Sequence, residues 1–294
     1  MPTRRVIVLI LLFWLATTSY VAYRDLWPRL HAAGPPPVGI DLADEASQTV
    51  PIRWSIRRGE QKVGRLVTTT RYIEADDTFR FVNEYKQLVL DAGLVKGVIP
   101  DLTTIVRVTR GGDLREQSLD GKIEISLPGG VRLADATARI QGRVIEGQLI
   151  ADCEISSSIG SFQQRLDPVP VPRGQPFNPL LPVNRITGVE PGLSWMVALD
   201  DPLRDAIVVA ARKVLKDVGA GGFKLPDQQP EPLFAEVLSD QQDLDWHGHA
   251  VPCWVIEYRQ TERVGRTWVR VSDGKVLKQE AFLKGETMTI ERDE

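Results

Sequence analysis

Histidine and cysteine are scarce in this chain: 294 residues hold three histidines and two cysteines. That scarcity limits the chemistry available. Zinc centres draw on imidazole and thiolate ligands, and most nucleophilic triads need an imidazole base. His31 lies in a proline-rich N-terminal stretch, which leaves His247 and His249. A strong net charge is missing as well. The formal value is -3, which gives no electrostatic footprint for nucleic acid. There is no G-x-S-x-G elbow to present a serine and no G-x-x-x-x-G-K loop to cradle phosphates.

What histidine and cysteine there is gathers in "DWHGHAVPCWVIEY", residues 245–258. Asp245, His247, His249 and Cys253 share parity, so an unbroken strand would show them on one face. Gly248 and Pro252 interrupt that strand. The segment reads instead as two strands joined at His247 and Gly248, and a reversal there removes the shared face. A solvated hairpin turn is expected, with no metal site and no cofactor. Cys153 and Cys253 form an even pair. They allow a disulfide in an oxidising compartment or serve as two small buried hydrophobes. The acidic pairs Asp76 with Asp77, Asp200 with Asp201, and Glu291 with Asp293 fall at turns or ends, where aspartate commonly bonds the backbone. No catalytic residue is assigned. An envelope hydrolase using a carboxylate pair is kept as an alternative.

Charge is also absent from residues 6–23, "VIVLILLFWLATTSYVAY", which follow Arg4 and Arg5. As a helix this run spans about 27 Å, close to the bilayer core. The two arginines favour a cytoplasmic N-terminus. Residues 1–29 are therefore expected as an uncleaved signal anchor, with a cleaved signal peptide as the rival. Residues 30–49, with Pro35, Pro36 and Pro37, read as a tether. Residues 50–294 would then form a domain in the periplasm or outside the cell, on a single-pass inner-membrane protein. The membrane would be its partner.

From Val50 onward the sequence is rich in strand signals. Runs of Thr, Val, Ile, Tyr and Phe alternate with polar residues, and Gly or Asp pairs punctuate them. Two stretches echo each other: "WSIRRGEQKVGR" from Trp54 and "WVIEYRQTERVGR" from Trp254. They are either a duplicated hairpin or two unrelated hairpins with similar residues. Residues 166–192 carry a proline every few positions, which excludes a central strand and suggests a crossing that packs Phe177, Leu180 and Leu181. Residues 200–222 read as a helix capped by Asp201, with Leu203, Ile207, Ala211, Val214 and Val218 on one face. The predicted fold is mainly β: a curved antiparallel sheet, half-barrel or clam-like, with one covering helix, preceded by a single transmembrane helix.

Trp54, Trp195, Trp254 and Trp268 read either as a core aromatic cluster or as the lining of an apolar ligand site. The closing run "WVRVSDGKVLKQEAFLKGETMTIERD" joins an aromatic strand, an Asp-Gly turn and a "KVLKQE" strand. With the meander before it, this resembles the lipoprotein-carrier-like half-barrels of bacterial envelopes and their uncharacterised relatives. The resemblance implies an apolar cavity for acyl chains. The spanning helix and the proline-rich crossing depart from that pattern. The expected function is a membrane-anchored, envelope-facing, non-catalytic β-domain that binds an apolar ligand or a partner protein, as an accessory to an envelope enzyme. A structural interaction module with a filled core is the alternative.

Overall fold

A computed structural model describes residues 50–91, 96–126, 132–158, 160–171, 183–197, 233–283 and 286–294, together with 13–14, 17–20, 42–47, 202–203 and 207. Nearly all of this is strand. β1 (Ile52–Arg58), β2 (Gln61–Ile73), β3 (Thr78–Asp91) and β4 (Lys96–Thr109) come first. β5 (Leu114–Ser126), β6 (Arg132–Ile145), β7 (Gln148–Ser157), β8 (Gly160–Arg165) and the two-residue β9 (Val169–Pro170) follow. After the crossing come β10 (Ser194–Val197), β11 (Leu233–Val237), β12 (Gln242–Trp246) and β13 (His249–Arg259). The last are β14 (Arg263–Arg270), β15 (Val276–Leu283) and β16 (Glu286–Arg292). A short helix, α1 (Leu42–Ser47), precedes β1. Local chemistry explains the turns. Glu146 and Gly147 both have positive φ, and so do His247 and Gly248. Each pair forms a two-residue loop, between Ile145 and Gln148 and between Trp246 and His249, as tight hairpins with right-twisted strands require.

All strands join one antiparallel 16-stranded sheet whose main path runs β10-β11-β13-β14-β15-β16-β1-β2-β3-β4-β5-β6-β7-β8. Closing a sheet into a barrel requires its two outermost strands to pair. Here the first and last strands of the chain pair with each other in the middle, and β8 and β10 end the path apart. The sheet is neither closed nor strongly curled. This corrects the expected half-barrel or clam and the resemblance to lipoprotein-carrier-like domains. Turn spacing reports hairpins; it does not report curvature.

Among the described residues no helix is long and apolar enough to cross a membrane. Of the run 6–23, only 13–14 and 17–20 are described, as helix; the remainder lies outside the described residues. That finding corrects the single-pass anchor, the inner-membrane localisation and the membrane partner drawn from it. It also removes the membrane-anchored, envelope-facing function built on them. The expected crossing residues Phe177, Leu180 and Leu181 lie outside the described residues, as do Ala211, Val214 and Val218 of the expected helix. Its Leu203 and Ile207 are described, and both pack against Ile140, Leu149 and Leu166.

One face of the sheet carries most of the core. In β2, Leu66, Thr68 and Thr70 are buried while Arg65 and Arg71 are exposed. Trp54 lies opposite Leu66 and is fully buried. The same face continues through Phe79, Phe81, Val106 and Val108, where Leu42 and Ala46 of α1 dock, and on to the Ile140 and Leu149 group. The other face of β2–β8 is held by charge pairs between directly opposed positions. Lys86 meets Asp101 at 2.6 Å, Arg107 meets Glu116 at 3.6 Å, Arg139 meets Asp120 at 2.8 Å, and Arg165 meets Asp152 at 2.9 Å. Exposed pairs of this kind contribute little each, but they hold the register that keeps the apolar face inward.

The two echoing hairpins share a defect as well as a sequence. In the first, Lys62 lies opposite Arg57 and Gly64 opposite Ile56, which leaves Val63 bulged. In the second, Arg263 lies opposite Arg259 and Gly265 opposite Tyr258, which leaves Val264 bulged. A β-bulge at the same step of Val-Gly-Arg in both is a structural counterpart of the echo.

Glu257 of β13 is the most buried acid among the ion pairs, with its side chain 4% exposed. Arg259 donates to it at 2.6 Å and Arg266 at 2.8 Å, and Arg263 stands 3.5 Å away. Burial pushes the Glu257 carboxyl up, but the hydrogen bonds and charges of Arg266 and Arg259 outweigh it and hold the pKa below its ordinary value. A depressed folded pKa gives stability that is present above the unfolded value, about 4.3, and lost as pH falls through the folded value. Glu257→Gln should therefore cost about 1–3 kcal/mol at pH 7. In urea melts the gap to wild type should close as pH drops below about 4. A gap that stays constant with pH would exclude the carboxylate charge as its source.

Candidate functional site

A strand interior rarely tolerates glycine without a reason, because no side chain is left to pack. Gly64 sits inside β2, opposite Ile56. A Cβ placed there would come within 3.2 Å of both the Cα and Cδ1 of Leu88. The missing side chain thus makes room for Leu88 of β3 to pack closely on β2. Leu88 reaches it through a break in alternation. Gln87 has φ 53 and sits between the pairs Lys86 with Asp101 and Leu88 with Ile99. Lys86 is exposed to water, and Leu88, two residues on, packs on the main core. Without the left-handed residue between them, both side chains would share the polar face.

Beside Leu88 and Ile56 lies a pocket of about 160 Å³. Ile56, Tyr85 and Leu88 form one side. Gln279 and Ala281 of β15, with Met288 and Ile290 of β16, form the other. Register explains the convergence: Ile290 lies between Ile56 and Gln279, and Met288 lies opposite Ala281. The lining residues are apolar apart from Tyr85, Gln279 and Glu280. Gln279 is buried and its amide nitrogen donates to Thr267 Oγ1 at 3.3 Å. Burial raises the Tyr85 hydroxyl above its ordinary pKa. Burial also pushes Tyr258, further along this face, up to about 12 against a hydrogen bond with Thr267. Both phenols therefore stay neutral across physiological pH.

The four tryptophans do not meet around one space. Trp54 and Trp195 are buried in the main core and Trp254 packs against it. Trp268 lies on the opposite face with Leu244, Cys253, Val255 and Leu277. None of the four lines the pocket. Cys153 and Cys253 are both free and buried, in different apolar clusters. Burial raises both thiols, Cys253 to about 11.

His247 and Gly248 form the tip of the β12–β13 turn, with φ 52 and 79. Asp245 Oδ1 accepts the Gly248 amide at 3.1 Å, and the His247 ring lies edge-on to Trp246 at 4.7 Å. Among the described residues no group of histidine, cysteine and carboxylates is placed to hold a metal.

The acidic pairs are separately engaged. Asp76 pairs with Arg107 and accepts the Thr78 hydroxyl at 2.7 Å. Asp77 accepts from Arg110 and from the Tyr72 hydroxyl. Asp293 accepts the Ser55 hydroxyl at 2.5 Å, and Glu291 faces Arg57 at 3.8 Å. Asp200 and Asp201 lie outside the described residues.

The pocket residues themselves were not singled out by sequence reasoning. The available signal was Gly64 inside a strand pattern, read there only as part of an echo. No protein-family model, curated protein or solved structure matches the chain.

Two outcomes follow from the turn and the thiols. Gly248→Val should cost about 1 kcal/mol or more, because a β-branched residue resists positive φ. His247→Asn should leave the melting temperature unchanged or raise it, since asparagine accepts that conformation. Equal losses in both variants would contradict the turn geometry. With Cys253 at about 11, about one thiol in a thousand is ionised at pH 8. Iodoacetamide should then label neither cysteine in the native protein at that pH and both in guanidinium. Rapid native labelling, or a mass two hydrogens short of the free-thiol form, would refute this.

Proposed function

We propose that the chain is a non-enzymatic binding protein that takes one small apolar or aromatic group of its ligand in the pocket between Ile56, Leu88 and Ile290. The observation that carries this reading is an apolar pocket on which four strands converge. Ile56 of β1 and Tyr85 and Leu88 of β3 meet residues of β15 and β16 around it. At about 160 Å³ it matches the size of cavities, about 150 Å³, that accept benzene. That is too small for a long acyl chain, so the ligand offers a compact group and its remainder lies outside. The remaining chemistry favours binding over catalysis. Both thiols are buried and protonated, and the described acids considered above are each held by a cation or hydroxyl.

Benzene and indole are suitable probes. Benzene at ten times its Kd should raise the melting temperature of the wild type by about 3–5 °C. Ala281→Leu, which fills the pocket from β15, should abolish that rise while keeping the fold by circular dichroism. An equal response of wild type and variant would overturn the reading.

A further inference from the structure

The exposed face of the N-terminal half carries an arrangement that stability alone disfavours. Arg71 of β2 lies directly opposite Arg80 of β3, and Arg80 lies directly opposite Arg107 of β4. Adjacent strands are about 4.8 Å apart, and like charges facing each other across strands are destabilising. The nearby acids do not relieve Arg71 and Arg80. Asp76 pairs with Arg107, and Glu116, which lies opposite Arg107 on β5, faces it at 3.6 Å. Arg107 also donates to Thr78 Oγ1 at 2.9 Å, and Thr78 donates to Asp76 at 2.7 Å. This network commits both acids to Arg107. Arg71 and Arg80 are exposed and make no ion pair among the described residues. Their neighbours on the same face, Thr69 and Val82, are paired with each other and carry no charge.

We propose that Arg71 and Arg80 form an oxyanion-binding site on the exposed face of β2 and β3, taking a carboxylate, sulfate or phosphate group of a ligand. Two guanidinium groups on rigid, neighbouring strands provide parallel N–H donors that match such groups. An anion placed between them converts a repulsive pair into a bridged one. Arg107, held by Asp76, Thr78 and Glu116, fixes the third position of the row and keeps Arg80 from finding an acid of its own. This site lies on the face opposite the pocket beside Ile56 and Leu88, so it stands or falls independently of the reading given for that pocket.

The test compares wild type with Arg71→Gln and Arg80→Gln, using sodium sulfate, inorganic phosphate and sodium acetate against sodium chloride at matched ionic strength. Sulfate stabilises proteins generally by exclusion from their surfaces, so the informative quantity is the difference between wild type and variant. In chloride at low ionic strength both variants should melt at or above the wild-type temperature, because each removes a repulsion. A bound anion at ten times its Kd should raise wild type by about 3–5 °C beyond either variant. The three salts distinguish which oxyanion is preferred. Two results would overturn the proposal: parallel responses of wild type and variants to all three anions, or a lower melting temperature of the variants in chloride, which would mark a structural role for the pair.

Discussion

The pairing of β1 with β16 holds the molecule together. Trp54 and Arg292 are directly opposed across it, and the Arg292 guanidinium stands 5.7 Å from the Trp54 ring. Arg292 also donates to Asn184 Oδ1 at 2.9 Å. Asn184 in turn accepts the backbone amide of Val276 at 2.9 Å. A buried cation is costly unless it is paired or hydrogen-bonded. Here it is met by an aromatic face, an amide and the main-chain oxygen of Glu294 at 2.6 Å. The crossing segment is thereby fastened to the seam between the two arms of the sheet. Gly274 tightens the same junction, since a Cβ there would come within 2.7 Å of the Ile186 carbonyl.

The pocket depends on this seam. Two of its walls, Ile56 and Ile290, are opposed residues of β1 and β16, so the space exists only when the arms are joined. Two local irregularities complete it. The bulge at Val63 sets Gly64 opposite Ile56, and the left-handed Gln87 turns Leu88 inward. Irregularities of this kind re-aim side chains and cost backbone strain, and they persist where the surrounding packing over-determines them.

The strands themselves were legible because their residues carry the signal. The alternation of Val67, Thr69, Arg71 and Ile73 with Thr68, Thr70 and Tyr72 marked β2 as a two-faced strand, and the pairs His247 with Gly248 and Asp273 with Gly274 marked turns that the structure contains. The shape of the sheet was not legible. Hairpin spacing identifies neighbours in sequence, whereas the pairing of Trp54 with Arg292 joins residues that no local pattern connects. The face taken by each tryptophan was not legible for a related reason. Trp254 and Trp268 lie on adjacent strands but on opposite faces, a matter of pairing parity that composition does not reveal. Gly64 was visible as an interior glycine, yet its purpose depends on Leu88 of the neighbouring strand β3.

The central position of the β1–β16 pair also has a consequence for the order of assembly. Ser55 and Asp293, hydrogen-bonded across it, are separated by 238 positions. The arm β1–β8 consists of sequential hairpins and has its local partners as soon as it is synthesised. β1 alone must wait, presenting an open edge until the last strand emerges from the ribosome. Over that interval the nascent chain carries an unpaired strand with Trp54 and Ile56 on its apolar side, a template for pairing with a foreign strand. The edge left open during synthesis therefore becomes, once folded, a paired interior position of the sheet.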